Sequence, residues 1–182
     1  TTAGRGLAAS GSELIWAPDG TLFMSVGGAF NIGRTGGLAQ ERKDHAGKIL
    51  HLTAEGAPAP GNPFIGDSEY LPEIYTLGHR NVMGFAFDPS TGDLWAAEHA
   101  PQGGDEVNVI LPGHNYGWPI VSYGRDYGGT RVTQEWYHEG FDTPTVVWLP
   151  SIAPAGMMFY TGDRFPAWRG NLFVGALMVG RI

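Results

Sequence analysis

The chain contains no cysteine. That excludes disulfides, zinc–thiolate centres and thiol catalysis together. Basic residues are scarce: 11 Lys and Arg stand against 18 Asp and Glu, for a formal charge of −7. The few cations are scattered along the chain, which argues against a nucleic-acid partner. No apolar run approaches the roughly 20 residues that cross a bilayer as a helix. The start at Thr1 lacks the charged residues and apolar stretch of a signal peptide, so such a segment is read as absent or already removed. Long helical periodicity is missing too, which leaves short strands as the main element. No Gly-x-Ser-x-Gly elbow occurs. Gly33-Arg34-Thr35-Gly36-Gly37 lacks the Lys-Ser/Thr ending of a phosphate loop.

What the chain has instead is turn chemistry, with 29 Gly and 13 Pro in 182 residues. Gly20-Thr21-Leu22-Phe23, Gly92-Asp93-Leu94-Trp95 and Gly170-Asn171-Leu172-Phe173 repeat one pattern at intervals of 72 and 78 residues. Each follows a turn (Ala17-Pro18-Asp19, Asp88 to Thr91, Asp163 to Pro166) that itself follows an apolar run. Apolar run, turn and apolar run predict a β-hairpin. Further strands are expected at Lys48 to Leu52, Glu73 to Leu77, Val107 to Leu111 and Thr145 to Trp148, with short helical turns near Arg34 to Asp44 and Pro166 to Arg169. Hairpins recurring at long intervals fit blades of an all-β β-propeller. A closed propeller takes at least about four blades. The strands here supply about three, so residues 1–182 are read as one partial propeller domain, part of a longer one.

Chemistry concentrates between residues 77 and 119. Leu77-Gly78-His79-Arg80-Asn81 is followed by Glu98-His99-Ala100-Pro101-Gln102-Gly103-Gly104-Asp105-Glu106 and then by Asn115-Tyr116-Gly117-Trp118-Pro119. Arg80 offers a fixed cation with a planar fork for a carboxylate or a quinone oxygen, or for a surface ion pair. The Ala100-Pro101 bend can turn successive carbonyls toward a hard cation, or can be an ordinary turn. Glu106 and Asp126 otherwise read as solvated loop acids, Trp118 as a core anchor, and His45 and His51 as surface histidines without zinc spacing.

These motifs, with Trp148-Leu149-Pro150-Ser151-Ile152-Ala153-Pro154 and Phe159-Tyr160-Thr161-Gly162-Asp163, closely resemble the soluble quinoprotein glucose/sorbosone dehydrogenases, the aldose sugar dehydrogenase branch in particular. The resemblance runs from about Gly11 to Leu177. It implies a six-bladed propeller, of which this chain covers about half, and a periplasmic or secreted enzyme. The implied reaction oxidises an aldose to its lactone with pyrroloquinoline quinone (PQQ) and calcium, passing electrons to an external acceptor. It assigns PQQ contacts to Arg80, Asn81 and the Ser151 hydroxyl. Calcium falls to the carbonyls of Ala100 and Pro101, and a second, structural calcium to Glu106, the Tyr116 carbonyl and Asp126.

The chain departs from that family at the proton-transfer pair. The catalytic His falls on Ala9, and the Asp that orients it falls on Gly28. A quinone-contacting Lys of some relatives falls near Met178. His99 is the best substitute base by position, in reach of the quinone, and Asp105 is the second. Loss of the pair also supports a non-catalytic sugar- or partner-binding propeller that retains structural calcium. A calcium-dependent lactonase is the third reading, with Asn81 and Asp105 as the start of its ligand set. A partial propeller leaves open sheet edges, so pairing of two copies, or dependence on further blades, is expected.

Overall fold

The computed structural model describes residues 11–28 and 36–178. Ten strands account for nearly all regular structure. β1 (Leu14–Trp16), β2 (Leu22–Val26), β3 (Lys48–Leu52) and β4 (Ile74–Leu77) form one antiparallel sheet in chain order. β5 (Val82–Phe87), β6 (Leu94–Glu98), β7 (Asp105–Ile110) and β8 (Val146–Trp148) repeat that order in a second sheet. β9 (Pro154–Phe159) and β10 (Leu172–Ala176) form a third, two-stranded sheet. Single 3₁₀ turns at Gly36–Gln40 and Pro166–Trp168 complete the inventory among the described residues. Successive up-and-down sheets packed face to face are the blades of a propeller.

The repeated turn explains the repeated hairpin. Trp16 pairs with Leu22, Phe87 with Leu94 and Phe159 with Leu172. Gly20, Gly92 and Gly170 close the turns at φ of 85°, 82° and 81°, where only glycine sits without strain. Ahead of the glycine, the Asp19 carboxylate accepts the Thr21 N–H, and Asp88 accepts the Ser90 N–H. The turn is therefore set locally, by residues two apart.

Packing follows the period-two alternation of the strands. Phe23, Ile49, Val82, Phe85, Leu94, Ala96, Ile110 and Tyr116 form the core between the first two sheets. Val26, Leu50 and Ile74 face the other way and are covered by Phe64 and Leu71 of the long connection. The connection between β3 and β4 is itself partly buried, at Ala59 and Asn62. His51 is also not a surface residue. Its ring lies flat on Phe23 with centroids 4.2 Å apart. Nδ1 reaches Asn62 Oδ1 at 2.7 Å and Nε2 reaches Thr21 Oγ1 at 2.8 Å. His45 is half-covered and pairs with Glu73 at 2.6 Å.

Lys48, at the start of β3, is wholly buried. Its ammonium donates to the carbonyls of Leu38, Ala39 and Ala46 at 2.9, 3.0 and 2.8 Å, pinning the 3₁₀ turn onto the sheet. Burial pulls its pKa down to about 8, against the opposing pull of Asp44 and Glu41. Between about pH 8 and the ordinary lysine value near 10.4, the unfolded chain holds this proton and the folded chain does not. Lys48 therefore makes stability rise with pH across that window. Lys48→Met leaves three carbonyls without their donor, and is expected to cost about 2 kcal/mol in urea denaturation at pH 7.5. The rise attributable to Lys48 between pH 8 and 10 should vanish with it. An unchanged pH slope would contradict the buried ammonium.

Candidate active site at the strand ends

The corners after β4 and β6, the loop after β8 and the residues after β2 meet at one end of the sheets. Glu98 organises the first of these corners. One carboxylate oxygen accepts the Arg80 N–H at 2.8 Å; the other meets His79 Nδ1 at 3.1 Å and Asn108 Nδ2 at 3.3 Å. His79 Nε2 in turn contacts Thr76 Oγ1 at 2.9 Å, and its ring stacks on Tyr116. Burial pushes the Glu98 carboxyl upward. The facing His79 ring and the N–H groups of Arg80 and Asn81 outweigh it and hold the group below the usual carboxylate range. The Arg80 side chain is buried over the Trp118 ring at 5.5 Å and donates to the His99 carbonyl at 2.8 Å. Burial lowers its pKa, and Tyr127, Glu98 and Asp105 partly offset that. Trp118 is the buried anchor expected of it.

Asp105 holds the second corner. It is fully buried. One oxygen accepts the Ala100 N–H at 2.9 Å; the other accepts the N–H groups of Ile152 and Ala153, each at 2.8 Å, and the Ser151 hydroxyl. Segments 46 to 48 residues away in sequence are thereby hung on one carboxylate. The bend before β7 needs glycine at position 104: φ is 83°, and an added Cβ would lie 2.8 Å from the Gly124 nitrogen. Ala153, by contrast, is the one non-glycine residue with positive φ among the described residues, at 52°. Ala100 therefore has a negative φ, which alanine adopts without strain.

Between the bend and the Leu149–Ala153 loop opens a cleft of about 670 Å³, also walled by Arg125, Tyr127 and Met178. That is ample for a small organic ligand. His99 stands in its wall. Its Nε2 donates to the Pro154 carbonyl at 2.7 Å, leaving Nδ1 as the basic nitrogen. Neither the Ala100 nor the Pro101 carbonyl accepts a hydrogen bond from the described residues. Beside His99 and Ala100 lies a small, partly open void of about 20 Å³, lined by Glu106, Tyr116 and Ser122 among others. Burial, with the Glu98 and Asp105 charges, pushes the Glu106 carboxyl well above its usual range; Asn108, at 3.2 Å, opposes that. Glu106 is thus no solvated loop acid. The Tyr116 carbonyl accepts no hydrogen bond among the described residues either.

The structure places the other expected site residues as follows. Asp105 cannot serve as the substitute base, since its oxygens are enclosed and engaged by four donors. Ser151 lines the cleft, with its hydroxyl donating to Asp105. Asn81 is buried with Oδ1 taken by the Gly11 N–H at 3.0 Å, outside the cleft lining. Asn81 and Asp105 therefore do not converge as a lactonase ligand set. Asp126 is not in the wall of the Glu106 void; its Oδ1 caps the Tyr127 N–H at 2.7 Å. Ala9 lies outside the described residues. Gly28 is described, and an added Cβ there would lie 2.9 Å from the His79 carbonyl oxygen. No group of three or more His, Asp or Glu that could hold a metal ion occurs among the described residues. The structural roles of Glu98 and His79 escape the sequence reading, although a glutamate ending the apolar run Leu94-Trp95-Ala96-Ala97 signals a buried acid with a partner.

Sheet order defines a propeller, with the cleft and carbonyl-bearing bend as a candidate ligand site at its strand ends. The sequence profile of the glucose/sorbosone dehydrogenases matches residues 2–182, and the chain belongs to that family. It is 38% identical over 169 residues to the aldose sugar dehydrogenase YliI of Escherichia coli K12, covering 92% of this chain and 44% of that protein. A crystal structure of glucose dehydrogenase superposes with a TM-score of 0.84 at 42% identity, over 91% of this chain and 47% of that one. The PQQ-bound aldose sugar dehydrogenase of Streptomyces coelicolor gives 0.72 at 32% identity, over 96% and 44%. The chain spans about half the length of these relatives.

Proposed function

We propose that the protein is a quinoprotein oxidoreductase that oxidises an aldose at its anomeric carbon to the lactone, using PQQ and calcium and passing electrons to an external acceptor. The observation that carries this is a pair of unpartnered carbonyls, Ala100 and Pro101, in the wall of a cleft of about 670 Å³ and fixed by Asp105 beneath. Carbonyls of this kind are hard oxygen donors suited to calcium. Ala100 and Pro101 would hold the cofactor calcium; Glu106 and the Tyr116 carbonyl would hold a structural one in the void beside them. When bound, PQQ supplies the two-electron acceptor for the anomeric hydride. Arg80 lines the small void beside the cleft rather than the cleft itself, and its buried charge would act on developing negative charge through the His99 segment it holds. His99 takes the sugar hydroxyl proton at Nδ1, because Nε2 is committed to Pro154. A periplasmic or secreted location and pairing of two copies go with this reading. No helix among the described residues is long and apolar enough to cross a membrane.

Titration with PQQ and calcium, followed by an artificial-acceptor assay with glucose, tests it. Calcium-dependent binding and sugar-driven reduction are expected. His99→Gln should lower turnover about 10²- to 10⁴-fold while leaving quinone affinity within a few-fold. Unchanged turnover in that variant would remove His99 as the base. The crowding at Gly28 favours a second reading, a binding propeller without turnover, which would show as quinone bound but never reduced by sugar.

A further inference from the structure

A second cavity lies at the opposite end of the sheets, among the hairpin turns. It measures about 390 Å³ and sits between the first two sheets. Both walls belong to this chain, so the cavity does not depend on further blades. Its apolar wall is a rigid cluster: His51 flat on Phe23, and Tyr75 edge-on to both at 4.9 and 5.3 Å. His51 is locked by Asn62 and Thr21, and Asn62 is itself fixed by donating to the carbonyls of His51 and Pro72. Such a wall is set before any ligand arrives, which lowers the cost of binding.

The rim is acidic and comes from two different hairpins. Asp19, in the β1–β2 turn, and Asp93, in the β5–β6 turn, both line this cavity. Asp19 uses one oxygen for the Thr21 N–H and hydroxyl, which lower its pKa and keep it ionised. Its second oxygen has no protein donor among the described residues. The Asp93 carboxylate has no hydrogen-bond donor among them. Tyr75 lines the same space; burial and the Asp93 charge hold its pKa above the usual tyrosine value. Neither Lys nor Arg lines the cavity.

We infer that this inter-blade cavity binds an organic cation, with the apolar body of the ligand on the Phe23–His51–Tyr75 wall and its ammonium or guanidinium between Asp19 and Asp93. An apolar, preformed hollow with charge of one sign at its mouth selects ligands that carry the opposite charge on an apolar stem. A neutral sugar would fill the hollow without answering either carboxylate. Free arylalkylamines and a Lys or Arg side chain of a partner share this chemistry. The site is independent of the quinone cleft, and its test does not require turnover.

Benzylamine, benzyl alcohol and a short neutral-ended peptide carrying one Lys next to Leu should be titrated against the full chain, with binding read by calorimetry and by shifts of the Gly20 and Gly92 amides. Benzylamine is expected to bind at least about ten-fold more tightly than benzyl alcohol, the factor one ion pair supplies. Asp19→Asn combined with Asp93→Asn should erase that preference while leaving the melting temperature and PQQ titration unchanged, since both residues are exposed. Tight binding of the amine supports a small-molecule site; binding of the Lys peptide alone supports a partner side chain. Equal binding of amine and alcohol, no binding of amine or peptide, or a preference that survives the double substitution would overturn the proposal.

Discussion

Asp105→Ala is expected to destabilise the protein by about 4 kcal/mol and to abolish quinone binding. The carboxylate is fully buried and accepts the N–H groups of Ala100, Ile152 and Ala153 together with the Ser151 hydroxyl. Each buried donor left without a partner costs about 1–3 kcal/mol, and four such losses do not add fully because the loops relax. The relaxation is itself damaging. The Ala100 bend and the Leu149–Ala153 loop are opposite walls of the cleft, and Asp105 bonds to both. Asp105→Asn keeps one acceptor oxygen but brings an amide group against other donors, so an intermediate loss of about 2–3 kcal/mol is expected. Urea denaturation and quinone titration of the two variants make the check. A loss below about 1 kcal/mol for alanine would mean that water replaces the carboxylate, and Asp105 would then not be what joins the cleft walls.

Glu98→Gln should cost about 3–5 kcal/mol, the usual penalty for breaking a buried pair on one side. The glutamate meets His79 at 3.1 Å and holds the Arg80 backbone at 2.8 Å, so the variant also loosens Arg80. The pH dependence has a definite sign. The Glu98 carboxyl is held below the usual carboxylate value in the folded protein. Its contribution is therefore fully present above the ordinary glutamate value, about 4.3, and is lost as pH falls through the lower folded value. The unmodified protein should lose stability on acidification below about pH 4.5, and Glu98→Gln should lose much less over that interval. Parallel curves for the two proteins would show that Glu98 is not the group titrating.

The parts of the fold set by neighbours in sequence were readable in advance. Asp19-Gly20 and Asp88 to Gly92 announce their turns because the side-chain acceptor and the left-handed glycine lie within a few residues of one another. All ten strands fall where apolar alternation puts them, to within a few residues at their ends. What resisted reading depends on distant partners. Asp105 looks like any acid after Gly-Gly until Ser151 to Ala153 arrive from 46 to 48 residues away. Glu106 sits beside Asp105 in sequence yet lines the void instead, together with the Tyr116 and Ser122 segments. Lys48 begins an apolar strand like a surface residue, and only the three carbonyls gathered around its ammonium explain its burial. Asp126 stands apart from that void for a local reason: it caps its own turn.

The close approach at Gly28 leaves little room for the aspartate that the family resemblance implies at this position. Its N–H donates to the Arg80 carbonyl at 2.7 Å, and the space where a side chain would begin is filled by the His79 carbonyl. A single change to aspartate would push on the very corner that carries Arg80, so it would damage one half of the site while repairing the other. Any route back to the usual proton-transfer pair must shift the β4–β5 corner first. Gly28 is therefore a point where the backbone of one blade braces the corner of the next, and any side chain there would be felt at Arg80.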